Sequence, residues 1–128
     1  AEDPARGFLP STGPLKKLRF PFSSVRNPCR VDTGVTEGDE VSPFYDPMIA
    51  KIIVHRPSRD EAASALADKC ELVKVWPVKT NASFLARLLG NAEFARGDLT
   101  TNLIAQSLEQ LVGDGQPSQD VLTTAAHV

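Results

Sequence analysis

Arg30, Asp32 and Gly34 alternate with Val31, Thr33 and Val35, so an extended chain over these residues sends the guanidinium and the carboxylate to one face. A guanidinium is a planar fork of donors that keeps its charge at any ordinary pH and grips a carboxylate-like anion through two parallel hydrogen bonds. Arg30 therefore has two possible uses. It can pair with Asp32, an exposed contact that usually contributes ~0–1 kcal/mol, or it can serve a binding site. Residue type and alternation alone leave both open.

Other chemistry is thin along the chain. Cys29 and Cys70 form no Cys-x-x-Cys pair and are expected to be buried thiols, and neither His55 nor His127 has a partner at a metal-ligand spacing. Nothing matches a P-loop, a dinucleotide fingerprint or a Gly-x-Ser-x-Gly nucleophile turn. Trp76, beside a proline between a strand and a helix, reads as packing. By periodicity Leu103 is a core leucine. A net charge of −2 makes no electrostatic case for nucleic acid or anionic membrane, and no apolar run approaches the ~20 residues that span a bilayer. At 128 residues and 41% hydrophobic content, the chain fits one modest domain with one core.

The elements that must position Arg30 can be read from turn chemistry. Glu37-Gly38-Asp39 lets the chain reverse, which places Arg30 to Val35 on a β-hairpin, and Pro43 and Pro47 bracket Phe44-Tyr45-Asp46 in a stiff loop. Met48 to Val54 is apolar on both faces except at Lys51, which predicts a strand that is central or covered on both sides. Five prolines and two glycines punctuate the first thirty residues and leave only Leu15 to Phe20 as a strand.

Ser58-Arg59-Asp60-Glu61 is a capping box that should open a helix of about three turns with Ala62, Ala65 and Leu66 on its apolar stripe. Leu72, Val73 and Val75 read as a strand ended by Trp76-Pro77. Thr80 or Asn81 then caps a second helix with Phe84, Leu85, Leu88 and Leu89 on one face, ending at Gly90-Asn91. A third helix is expected to carry Leu103, Ile104, Leu108, Leu111 and Val112. From Gly113 the composition is that of a linker, and Ser118 can cap a helix in the tail. The expected class is α+β, an antiparallel sheet of several strands with about three helices to one side.

Four ordered motifs carry a resemblance: Ala1-Glu-Asp-Pro4, Phe8-Leu-Pro-Ser-Thr-Gly13, the run from Arg30 to Lys51, and Val75-Trp-Pro-Val-Lys-Thr-Asn81. Together they resemble the biotin carboxylase C-terminal domain of biotin-dependent acyl-CoA carboxylases, over about residues 1 to 112. The resemblance implies an active-site role for Arg30, facing bicarbonate and the ureido ring of biotin. It also implies that Leu103, after Thr101-Asn102, packs against the adenine of ATP. The implied cofactors are ATP, biotin on a carrier domain, and magnesium held by ATP-grasp lobes that this sequence lacks.

Implied partners are those lobes, the biotin carrier domain, a second biotin carboxylase subunit and a carboxyltransferase subunit, with no nucleic acid and no membrane. The implied parent is a propionyl- or broad acyl-CoA carboxylase α subunit, cytoplasmic or, in a eukaryote, in the mitochondrial matrix. With no initiating Met and a family strand expected before Ala1, residues 1–112 are expected to be an N-terminally truncated domain, and residues 113–128 a linker and the start of the next segment. Such a piece is expected to be inactive alone. The competing expectation is a non-catalytic module for dimerisation or carrier interaction. One departure lies just before the arginine, where Ser23-Ser24 and Asn27-Pro28 replace the family's Gly-rich approach.

Overall fold

Gly7 and the early prolines cut the first ten residues into two short antiparallel strands, β1 (Glu2–Asp3) and β2 (Leu9–Pro10), around a 3₁₀ turn at Pro4–Arg6. Gly7 and Phe8 both take left-handed backbone, at φ 68° and 62°. For phenylalanine that conformation is costly. It is held by the Phe8 amide donating to Asp3 O at 2.9 Å and by the Phe8 ring standing edge-on to Phe84, 5.0 Å between centroids. This computed structural model describes residues 1 to 113; the tail after Gly113, with the helix expected at Ser118 and with His127, lies outside the described residues.

The expected strand near residue 15 is β3 (Gly13–Arg19), flanked antiparallel by β5 (Glu40–Val41) and β7 (Lys74–Pro77). A separate antiparallel ribbon joins β4 (Arg30–Thr33) to β6 (Ala50–Ile53). Leu15, fully buried, forms the core of the three-stranded sheet with Val41 and Val78, and Val35 and Ile49 pack against them. Those two residues flank the ribbon, so this core also anchors the connection between β4 and β6.

Two expectations about this region are corrected. The turn at residues 37–39 does not close a hairpin for β4. Its bonds go to β3: Leu15 donates to Asp39 O at 2.7 Å, Gly38 donates to Leu15 O at 2.9 Å, and the Leu18 amide donates to Glu37 Oε2 at 3.1 Å. That last bond, with Lys17 nearby, holds the Glu37 carboxyl below its ordinary range. Gly38, at φ 100°, supplies the conformation the corner needs. The chain after β4 is thereby captured by another sheet, and β4 takes the later strand β6. The second correction concerns β6, which is neither central nor covered on both sides among the described residues: it pairs with β4 alone, and its residues alternate half-buried and exposed.

Helix α1 (Arg59–Glu71) starts where the capping box predicts, with the Glu61 amide donating to Ser58 Oγ at 3.3 Å and the two side chains 3.0 Å apart. Replacing Ser58 by alanine is expected to destabilise the fold by about 0.5–2 kcal/mol, read from the urea midpoint; an unchanged midpoint would place the helix start elsewhere. Leu72 belongs to the end of this helix, its amide donating to Lys69 O at 3.2 Å, so β7 begins only at Lys74 and runs through Trp76-Pro77.

Helix α2 (Ala82–Leu89) packs on α1 and buries Phe84 and Ala86. The expected third helix is instead two short ones among the described residues, α4 (Leu103–Gln106) and α5 (Leu108–Val112), and a further short helix, α3 (Ala92–Arg96), stands before them where only a lead-in was expected. Asn91 Oδ1 accepts from the Glu93 and Phe94 amides and Gly97 closes α3 at φ 78°, while Ser107 separates α4 from α5. Arginines secure the loose ends. Arg87 donates to Leu111 O at 2.5 Å and Val112 O at 2.6 Å, and Arg59 donates to Phe94 O at 2.8 Å with its guanidinium over the Phe94 ring. The α+β class stands, with five α-helices among the described residues where about three were expected.

Candidate functional site

Arg30 opens β4 and shares a face with Asp32, as the alternation requires. Its Nε lies 3.0 Å from Asp32 Oδ1 and one terminal nitrogen donates to Oδ2 at 3.1 Å, a two-point grip along one edge of the fork. The Arg30 side chain is still 71% exposed. Among the described residues Asp32 is its only hydrogen-bond partner, so the outer edge of the fork faces solvent. The carboxylate thus orients the guanidinium without using up its donors.

The ribbon register sets Lys51 directly across from Asp32 and Ile53 across from Arg30. Directly opposed residues on paired strands share a face, so a second cation, Lys51, stands beside the Arg30–Asp32 pair. Sequence reading marked Lys51 only as the polar member of an apolar strand. The signal that finds it is pairing register, which no local pattern contains.

The backbone before Arg30 is tied down by side chains from elsewhere. The Cys29 amide donates to Ser23 Oγ at 3.2 Å, Lys69 Nζ donates to Phe22 O at 3.1 Å, and Arg56 reaches Asn27 and Pro28. Lys69 is otherwise buried, an unusual place for an ammonium. Sequence reading missed both Lys69 and Arg56.

Leu103 is the first residue of α4 and is only 5% exposed. A cavity of about 770 Å³ lies between the 46–52 segment and the helices, lined by Met48, Ile52, Leu66, Leu85, Leu88 and Phe94 among others; neither Arg30 nor Leu103 lines it.

Trp76 is half-buried and pairs with Lys17 across β3 and β7, as a packing residue does. Cys70 is buried, and that burial, with Glu71 nearby, raises its thiol above the ordinary range. Cys29 is half-buried, short of the burial expected for it, because it sits in a loop just before β4, where its sulfur lies 3.9 Å from Pro21 O. His55 is exposed. Among the described residues no three His, Cys, Asp or Glu side chains gather as a metal would require, and no helix is long and apolar enough to cross a membrane.

A model of the biotin carboxylase C-terminal domain family matches residues 1–106. The mitochondrial methylcrotonoyl-CoA carboxylase subunit alpha of Rattus norvegicus is 41% identical over 112 residues, 88% of this chain and 15% of that protein. The propionyl-CoA carboxylase alpha chain of Ruegeria pomeroyi is 36% identical over an alignment covering 98% of this chain and 21% of that protein. The chain thus spans about a fifth or less of these relatives. Among solved structures, the biotin carboxylase domain dimer of Hydrogenobacter thermophilus 2-oxoglutarate carboxylase, in complex with MgADP, ADP and bicarbonate, superposes with a TM-score of 0.81 at 29% identity, over 88% of this chain and 24% of that one.

Proposed function

The chain belongs to the biotin carboxylase C-terminal domain family, and from that premise we propose that it supplies Arg30 to the ATP- and bicarbonate-dependent carboxylation of biotin in an acyl-CoA carboxylase. The observation that carries this reading is the Arg30 fork: one edge fixed by Asp32, the other open to an anion. Bicarbonate, a planar oxyanion, suits that outer edge. Biotin, on a carrier domain, supplies the ring nitrogen that takes up the carboxyl group. Arg30 meets the charge that grows on the ureido oxygen as the ring loses its proton.

Exposure decides how much of this the chain can do alone. A guanidinium in bulk water gains little from an anion, and its effect grows only where water is excluded. The reading therefore requires further protein, the ATP-grasp lobes, to cover Arg30 and to hold ATP and magnesium. Residues 1 to 128 alone are expected to show no bicarbonate-dependent ATP cleavage, even with free biotin, whereas the subunit carrying this domain is expected to turn over. Measurable turnover by the chain alone would overturn the reading.

Leu103 enters the proposal as an adenine contact, on the strength of the Thr101-Asn102-Leu103 run. Its burial leaves only an outer edge of the side chain to touch a nucleotide. For the acyl group, we propose a short-chain acyl-CoA, the class shared by the propionyl and methylcrotonoyl relatives. A carboxyltransferase subunit is the proposed partner for that step, and the name of the rat relative favours the mitochondrial matrix if the source is eukaryotic.

An interaction role is favoured by one separate observation. Phe44 and Tyr45, in the proline-bracketed loop, are 88% and 82% exposed. This loop fits a contact with a second biotin carboxylase subunit or the carrier domain, and such a role is compatible with the catalytic one.

A further inference from the structure

We propose that Arg87 and Gly113 form a clasp that pins the last turn of α5 to α2, so that the linker beginning at Gly113 leaves from a fixed point. The last carbonyls of a helix have no partner within it, and α5 carries no basic residue in its last turn to meet them. Gly97 closes α3 with its own amide, which donates to Glu93 O and Phe94 O, but no such bond from Gly113 closes α5 among the described residues. Leu111 is the one buried residue of α5. A single leucine on a five-residue helix is a weak anchor, since isolated helices this short do not hold their shape in water.

Arg87, in the last turn of α2, supplies what is missing. Its Nε donates to Leu111 O at 2.5 Å and one terminal nitrogen donates to Val112 O at 2.6 Å, so one edge of the fork caps two successive carbonyls. The positive charge also suits the negative end of the helix. Gly113 completes the clasp from the other side. Its backbone turns at φ 67° and ψ −163°, a conformation essentially confined to glycine. A Cβ at this position would lie 3.3 Å from Arg87 Cζ, and 3.4 and 3.5 Å from the two terminal nitrogens. The guanidinium therefore rests against the bare α-carbon, and a side chain at residue 113 would push it off its carbonyls. Positive φ and room for the fork are separate demands, and both select glycine. From this residue on, Gly113-Asp-Gly-Gln-Pro-Ser118 has the composition of a linker. The clasp thus sits at the junction between packed helix and linker sequence.

Fixing the exit matters for reach. The inference rests on the reading above that biotin comes on a carrier domain, and it makes this linker the tether. A flexible tether delivers its far end at an effective concentration that falls roughly as the −3/2 power of its length. Releasing the five residues of α5 would lengthen the six residues 113–118 to eleven, which lowers that concentration roughly 2- to 3-fold.

The test uses the biotin carboxylase subunit that carries this domain, with two readouts. The first is hydrogen exchange. In Arg87→Gln the Gln110 and Leu111 amides, which donate to Ser107 O, should exchange about tenfold faster, while the amides of α1 and α2 keep their wild-type rates. Gly113→Ala should reproduce this with Arg87 in place, and Arg87→Lys should loosen α5 less. The second readout compares turnover on free biotin with turnover on the subunit's own carrier-borne biotin. Free biotin should be carboxylated at the wild-type rate, while turnover on carrier-borne biotin falls roughly 2- to 3-fold, as it should when five residues are inserted after Gly115. Faster exchange throughout α1, α2 and α5, with equal losses on both forms of biotin, would make Arg87 a general structural residue and overturn the proposal. Unchanged exchange in α5 would overturn it as well. So would loosened α5 with wild-type turnover on carrier-borne biotin, because the clasp would then not set the reach. A wild-type subunit that carboxylates no biotin would instead remove the reading of function, and exchange alone would decide the clasp. If Arg87→Gln does not fold, Gly113→Ala and Arg87→Lys carry the same comparison.

Discussion

Arg30→Gln is expected to lower biotin carboxylation by roughly 10²–10³-fold per folded molecule, the usual cost of removing one donor that meets developing charge, while the KM for ATP stays close to wild type. The split follows from where the guanidinium acts. Charge on the ureido oxygen develops in the transition state, so losing the fork affects the chemical step and not nucleotide binding. Arg30→Lys should recover little, since one ammonium cannot reproduce the two-point geometry. Little stability should be lost, because the Arg30–Asp32 pair is exposed and such pairs contribute ~0–1 kcal/mol. A structural arginine would give the opposite pattern: a lower melting temperature, with normal turnover in the fraction that remains folded. Equal turnover per folded molecule would take Arg30 out of the active site.

The largest expected effect on stability is at Leu15. Its side chain is fully buried between Val41 and Val78, and its amide and carbonyl are both bonded to the 37–39 corner. Leu15→Ala should cost about 2–5 kcal/mol, from lost burial together with the cavity left behind. Against a typical domain stability of roughly 5–15 kcal/mol, that is a large share. The urea midpoint should fall with the slope unchanged, and Leu15→Met, which nearly conserves volume, should cost less than about 1.5 kcal/mol. Because Val35 and Ile49 pack on the same cluster, the defect should reach the β4–β6 ribbon and slow turnover as well. A midpoint within experimental error of wild type would mean that the sheet core is organised around other residues.

Several features were legible in the sequence because they depend on neighbours only a few residues away. The helix start at Ser58 needs only its hydroxyl and a free amide, and that cap forms as expected, while the Glu61 carboxylate accepts from the Ser58 hydroxyl and not from a backbone amide. Alternation over Arg30 and Asp32 put both side chains on one face, and the structure joins them. The helix α3 was not anticipated, because Asn91 reads as the end of the helix before it, and the apolar stripe from Leu103 to Val112 concealed the break at Ser107.

Partner choice was a tertiary decision. The strand signals for residues 30–35 and 48–54 were present, but a strand pattern states its period and not its neighbour. The 37–39 corner found its acceptors on β3, so β5 joined that sheet and β4 was left for β6. That single choice placed Lys51 across from Asp32 and brought Arg56 alongside Pro28. The sequence by itself determined the residue able to hold an anion and the face it occupies. Only the folded chain decided which strand stands beside β4, because Lys51 and Arg56 lie far off in sequence and meet it only after the strands have paired.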